Sequence, residues 1–169
     1  MIAELIAAAT LAVSGGAAVE ARYPAVMARD AGSLPAGCAP RQVAALVGSF
    51  LARVIRGDAR GAVRIMDPLA GPANQRPRGW YSVTEDERHF VAYGRAPLVR
   101  YFARRHRHGE HMRLLRLSVV SGGKHRAGVE YRIRRSADDL TPRPPAIGKA
   151  AIDCRRQRIF VWSMSQPRR

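Results

Sequence analysis

The densest group of metal-capable side chains is the run His106-Arg107-His108-Gly109-Glu110-His111. As a pattern it is H-x-H-x-E-H, close to the zinc-binding H-x-H-x-D-H, and three imidazoles at that spacing have the donor chemistry zinc takes. The flanks argue against it. Such a motif needs a buried apolar strand before it and glycines after it. Here an amphipathic stretch precedes it and Met112-Arg113-Leu114 follows. Arg104, Arg105, Arg107 and Arg113 would repel a divalent cation. The run is read as the basic end of a helix, with no metal and no cofactor implied.

Cys38 and Cys154 are the only cysteines. In an exported chain two cysteines commonly pair, and a bridge between these two would be worth about 4–5 kcal/mol in the chain-entropy model. Two separate buried thiols are the other reading, because sequence does not supply the Cα separation a disulfide requires. A lipid anchor at Cys38 is disfavoured: Pro35 stands where a lipobox wants an aliphatic residue, and Arg29 and Asp30 interrupt the preceding stretch. No phosphate-cradling glycine loop occurs, and no Ser-His-Asp or Cys-His arrangement is marked by spacing.

The chain has 169 residues, of which 47% are hydrophobic and 25% charged, and this suits one globular domain rather than a disordered polymer. Its net charge of +16 suggests an acidic partner. Only Lys124 and Lys149 among the 29 basic residues are lysines, however, and abundant Ala, Gly, Pro and Arg reflect arginine-favouring codon usage. The arginine-rich runs at 104–107, 132–135 and 155–158 are therefore read as solvated faces. Nucleic-acid binding, which would add exposed aromatics between the cations, is not expected. Residues 1–21 hold an apolar run too short and alanine-rich to span a membrane. They have the length of a signal-peptide core, with Val19-Glu20-Ala21 at the cleavage positions and Glu4 where a positive charge is usual. Export, to the cell envelope or beyond, is the expectation; a cytoplasmic chain is the alternative.

These side chains need elements to position them. Residues 22–40 read as a flexible linker and 166–169 as a basic tail. From Arg41, the three- and four-residue spacing of Val43, Leu46, Val47, Phe50, Leu51, Val54 and Ile55 predicts a helix that Gly57 ends. Asp58 caps a second helix over 59–66, stopped by Pro68. A proline- and glycine-rich loop follows at 69–79, then a short strand at Trp80-Tyr81-Ser82-Val83 and an acidic patch at Glu85, Asp86 and Glu87. Gly94 opens a third helix with an apolar face of Leu98, Val99 and Phe102. Strands are expected over 112–120, 129–134, 147–154 and 158–165, the last two as a hairpin. Within 129–134, Val129, Tyr131 and Ile133 take one face, and Glu130, Arg132 and Arg134 the other. Helices followed by strands predict an α+β domain over 41–165, helices on one face of an antiparallel sheet.

That order of elements resembles the cone-shaped fold of the nuclear transport factor two-like superfamily. The likeness is carried by the first helix ending in Arg56-Gly57-Asp58, by Tyr93-Gly94-Arg95-Ala96-Pro97 at the entry to the third helix, and by the final strand Arg158-Ile159-Phe160-Val161-Trp162. The resemblance implies a curved antiparallel sheet with about three helices on its concave face and a pocket between them. It implies relatives that are isomerases, polyketide cyclases or dehydratases, beside binding domains, and dimers formed through the open sheet face. Enzymes of the group use an Asp or His with a Tyr in the pocket. No such pair is marked by motif here. The residues placed to line a pocket are Trp80, Tyr81, Tyr131, Asp153 and Trp162, although strand aromatics commonly fill a core and a strand-end Asp commonly faces water. The expected function is a non-enzymatic, exported accessory domain binding a small apolar ligand. The alternatives are an isomerase-, cyclase- or dehydratase-like enzyme, and a basic domain for nucleic acid or an acidic polymer.

Overall fold

The computed structural model describes residues 34–66, 80–85 and 88–166, and the backbone alone at 26–28, 80, 85 and 88. The signal-like segment 1–21, most of the linker, the loop at 69–79, Asp86, Glu87 and the tail beyond Gln166 lie outside the described residues. The element order is β1 (Val26–Ala28), α1 (Pro40–Ile55), α2 (Ala59–Ile65), β2 (Trp80–Glu85), β3 (Arg88–Ala92), α3 (Arg95–Arg107), β4 (His111–Ser121), β5 (Arg126–Ser136), β6 (Ala146–Asp153) and β7 (Arg158–Ser165).

Local chemistry sets the helix boundaries. Pro40 opens α1, and the Gln42 side chain accepts from the Ala39 N–H at 3.2 Å. Gly57, at φ +77°, ends it; a Cβ there would lie 2.6 Å from the His106 ring. That ring meets the Ile55 carbonyl through Nδ1 at 2.9 Å and so ties the end of α1 to α3. Asp58 caps α2, accepting from the Gly61 N–H at 2.8 Å and from Arg53. Those two donors, the backbone one first, hold its carboxyl below the usual range.

The sheet runs β1-β4-β5-β6-β7-β2-β3 and is not closed. The meander β4-β5-β6-β7 is antiparallel, as expected, but the whole sheet is mixed. β2 lies parallel to β7 and β1 parallel to β4. The helices are not all N-terminal to the strands either, since the β2–β3 hairpin sits between α2 and α3. Register shifts at Leu114/Arg116 and at Ala151/Ile152 bend the sheet. Its concave face receives the three helices.

The core follows from the stripes. Val43, Val47, Phe50 and Val54 of α1 and Leu98 and Phe102 of α3 meet Leu117, Val129, Ile133, Ile152, Ile159 and Trp162 of the sheet, all at most 1% exposed. Phe50 bridges the layers, 5.7 Å from the Phe102 ring and 4.9 Å from Trp162. Each such side chain contributes about 1.5–3 kcal/mol by leaving water. A disulfide, Cys38–Cys154, pins the turn before α1 to the β6–β7 hairpin. Gln157 reinforces the junction, donating from Nε2 to the Cys154 and Gly37 carbonyls at 2.7 and 2.5 Å.

Candidate functional site

Three of the expected pocket residues lie inside the cone. Tyr131 on β5 stacks on Trp162 of β7 at 4.2 Å, and Phe50 packs against Trp162. The Tyr131 hydroxyl donates to the Ser163 backbone carbonyl at 2.7 Å. Tyr81 packs 5.2 Å from Phe102 and 5.4 Å from Tyr101. Burial raises the pKa of both Tyr81 and Tyr131 well above the usual phenol value. The side chain of Trp80 lies outside the described residues. Asp153 does not join the group: it sits at the β6–β7 hairpin and accepts from the Arg156 N–H at 2.9 Å. Tyr81, Tyr131 and Trp162 are packed in the core, Tyr131 also bordering the groove on the outer sheet face, and Asp153 caps a turn.

Among the described residues the buried carboxylate is Glu110, which the sequence presented as part of a metal-like run. Its oxygens receive Arg135 Nε at 2.7 Å, Arg135 Nη2 at 2.9 Å and Arg105 Nε at 2.7 Å. Arg105 also donates from Nη1 to Asp139 at 2.8 Å. Burial acts to raise the Asp139 pKa, and the Arg105 guanidinium overcomes it and holds it low. The Glu110 and Arg135 side chains are 0% and 1% exposed. Two guanidiniums around one carboxylate, fixed by α3, the start of β4 and the end of β5, form a structural clamp. The signal that would have found it is parity. Arg135 shares the buried face of Val129, Tyr131 and Ile133, and a buried arginine requires an acid.

The histidines of the same run diverge. His106 bonds to the Ile55 carbonyl, His108 caps α3, and His111 begins β4 with an exposed side chain. Among the described residues no three His, Cys, Asp or Glu side chains are gathered to hold a metal ion.

A broad concavity lies elsewhere. On the sheet face away from the helices, a groove of about 620 Å³ runs over β4, β5, β6 and β7. Its walls include Arg116, Ser118, Arg132, Ile147, Val161 and Ser163. Its volume falls in the range of small-molecule sites. Lys149 and Glu130 form an exposed pair across it at 3.5 Å, and the Ser82 hydroxyl donates to Ser163 Oγ at 3.2 Å beneath its far edge.

No protein-family model and no curated protein sequence matches the chain. Solved structures do match its fold. A candidate dehydratase of the NTF2-like (nuclear transport factor two-like) family from Streptomyces avermitilis aligns at TM-score 0.57 and 16% identity, over 76% of this chain and 96% of that one. A candidate ketosteroid isomerase from Shewanella frigidimarina aligns at 0.53 and 8%, over 73% and 94%. The Orange Carotenoid Protein of Anabaena, solved binding canthaxanthin, aligns at 0.54 and 10%, over 70% of this chain and 35% of that one. The chain shares the NTF2-like fold of these structures.

Proposed function

We propose that this domain is an accessory or small-ligand-binding module rather than an acid–base catalyst, and that it works in an oxidising compartment outside the cytoplasm. One observation carries the first part: both oxygens of Glu110 are already engaged by guanidiniums. The Tyr131 hydroxyl is likewise committed to a backbone carbonyl. Isomerase and dehydratase chemistry begins with a proton moving to or from a base within reach of substrate. Glu110 and Tyr131 are held by the fold instead. The outer groove offers a concave surface with apolar and polar walls. The Cys38–Cys154 disulfide supports the second part, because such bonds persist where the surroundings are oxidising.

The test is a saturation-transfer NMR screen of small amphiphiles against the oxidised protein. Binding that disappears when Ser163→Phe fills the groove, at unchanged melting temperature, is the expected result. Catalysed solvent-deuterium exchange into a β,γ-unsaturated ketone would overturn the reading in favour of an enzyme.

A further inference from the structure

Two cationic stretches that are separate in the sequence meet at one end of the sheet. The β4–β5 tip carries Lys124, His125 and Arg126, and the β6–β7 tip carries Arg155, Arg156 and Arg158. Register brings them together: Arg126 lies opposite Asp153 on β6, and Asp153 opposite Arg158 on β7. The Cys154 N–H donates to the His125 carbonyl at 2.9 Å and joins the two tips directly. All six basic side chains are exposed. Asp153 is the carboxylate within these tips; it accepts from the Arg156 N–H and lies 4.0 Å from Arg156 Nε. Either stretch alone reads as a solvated run. Paired, they set five permanent cations against one carboxylate.

Like charges this close repel, so the cluster has to be held. The Cys38–Cys154 disulfide, the Gln157 bonds to the Cys154 and Gly37 carbonyls and the Asp153 cap brace the β6–β7 tip. The Gly122 N–H donates to the Arg126 carbonyl at 2.9 Å and closes the β4–β5 tip. A braced cluster loses little conformational freedom when a partner takes it up.

Shape selects among anionic partners. The groove of the outer face and the concavity beside α3 include none of these six side chains, so a small anion would not be enclosed by them. No Phe, Tyr or Trp stands within 121–126 or 153–158, and Phe160 beyond them has the Arg126 guanidinium over its ring at 5.0 Å. The tips thus offer nucleic-acid bases no platform to stack on. Gly122 and Gly123 place no side chain at the β4–β5 turn, and a Cβ at Gly123 would meet nothing within 4 Å. A flat array of phosphates can approach that backbone closely.

We infer that the paired tips are an electrostatic docking surface for an anionic lipid bilayer, whose headgroup phosphates supply the negative plane the cations face. The attraction needs no apolar insertion and fades within a Debye length of the leaflet. It is independent of the ligand the outer groove takes.

Co-sedimentation of the oxidised full chain with vesicles tests it. Vesicles of equimolar phosphatidylglycerol and phosphatidylcholine are expected to bind the protein, vesicles of phosphatidylcholine alone to leave it in solution, and added salt to release it. Because the whole chain is basic, the control is positional. Lys124→Gln/Arg155→Gln should weaken binding about thirtyfold, the worth of two basic residues at an anionic leaflet. Arg113→Gln/Arg134→Gln removes as much charge from exposed side chains and should bind as the parent does; Arg134 and Arg126 stand near opposite ends of β5, roughly 27 Å apart. In the parent, nitroxide-labelled headgroups in bicelles of the same lipids should broaden the amide signals of Gly122, Gly123 and Arg155 and spare that of Gly109 between α3 and β4. Equal losses in the two double variants would assign binding to net charge, and equal binding to phosphatidylcholine would assign it to apolar insertion; either overturns the proposal, as does no binding at all. Duplex DNA that bound through the same tips more tightly than the vesicles would make a nucleic acid the partner and overturn it too.

Discussion

The hydroxyl of Tyr131 on β5 reaches past β6 to the backbone carbonyl of Ser163 on β7, 2.7 Å away. The strand between them offers Gly148 at that point. A Cβ on Gly148 would lie 2.3 Å from Tyr131 Cζ and 2.3 Å from the Ser163 oxygen. Gly148→Ala is therefore expected to destabilise the fold by about 1–3 kcal/mol, the usual range for overpacking. Tyr131→Phe, which keeps the ring and deletes the bond, should cost about 1 kcal/mol. Denaturant melts of these two variants, of Tyr131→Ala and of Gly148→Ala/Tyr131→Ala check this, the double variant being less destabilised than the sum of Gly148→Ala and Tyr131→Ala.

Two of the buried phenols set an alkaline limit. Tyr81 and Tyr131 have folded-state pKa values raised above the unfolded value of about 10. Their contribution to stability is complete below about pH 10 and is lost as pH rises from there toward the folded values. Melting temperature should hold across neutral pH and fall above about pH 10. Tyr81→Phe/Tyr131→Phe should flatten that fall, followed by phenolate absorbance and circular dichroism on the same samples.

Removing the carboxylate at the centre of the clamp should be severe. Glu110→Gln leaves Arg135, 1% exposed, and Arg105, 4% exposed, without their buried counter-charge, and a cost of about 3–5 kcal/mol is expected. The triple replacement Arg105→Met/Glu110→Leu/Arg135→Met should recover much of that loss, because no buried charge remains to be compensated. Urea midpoints of the variants decide it; an unchanged Glu110→Gln midpoint would show that the clamp is not structural.

Reduction of the Cys38–Cys154 bond should lower stability by about 4–5 kcal/mol, given a sequence separation of 116. Cys38→Ser/Cys154→Ser should match the reduced parent and show no further response to dithiothreitol. Thermal melts with and without reductant measure both.

Helix periodicity made α1 and α3 legible, because Val47, Phe50 and Val54, and Leu98 and Phe102, sit where a 3.6-residue turn puts one buried face. The alternation of β5 and the hairpin β6–β7 were legible for the same reason at period two. β3 was not, since Arg88-His89-Phe90-Val91-Ala92 is five residues beside an acidic patch and gains its strand character from pairing with β2. The parallel pairing of β2 with β7 joins residues some eighty positions apart and leaves no local trace. Of the site, the aromatics could be named but not their role, because a strand aromatic looks alike whether it lines a cavity or fills one. Glu110 was hidden by its histidine neighbours, and its partner Arg135 by an alternation followed two residues short. The outer groove belongs to four strands at once, and which side chains share it follows only from the registers between them.

The link between the turn before α1 and the β6–β7 hairpin also decides how the domain would carry load. A pull applied through the chain before Cys38 and after Cys154 passes through the two sulfurs rather than along the backbone between them. The helices and β2 to β6 stay slack while β1 and β7 are peeled from the sheet. Stretched that way, the oxidised domain would yield only the segments outside Cys38–Cys154, its two terminal strands among them; the reduced one would unravel to its full contour.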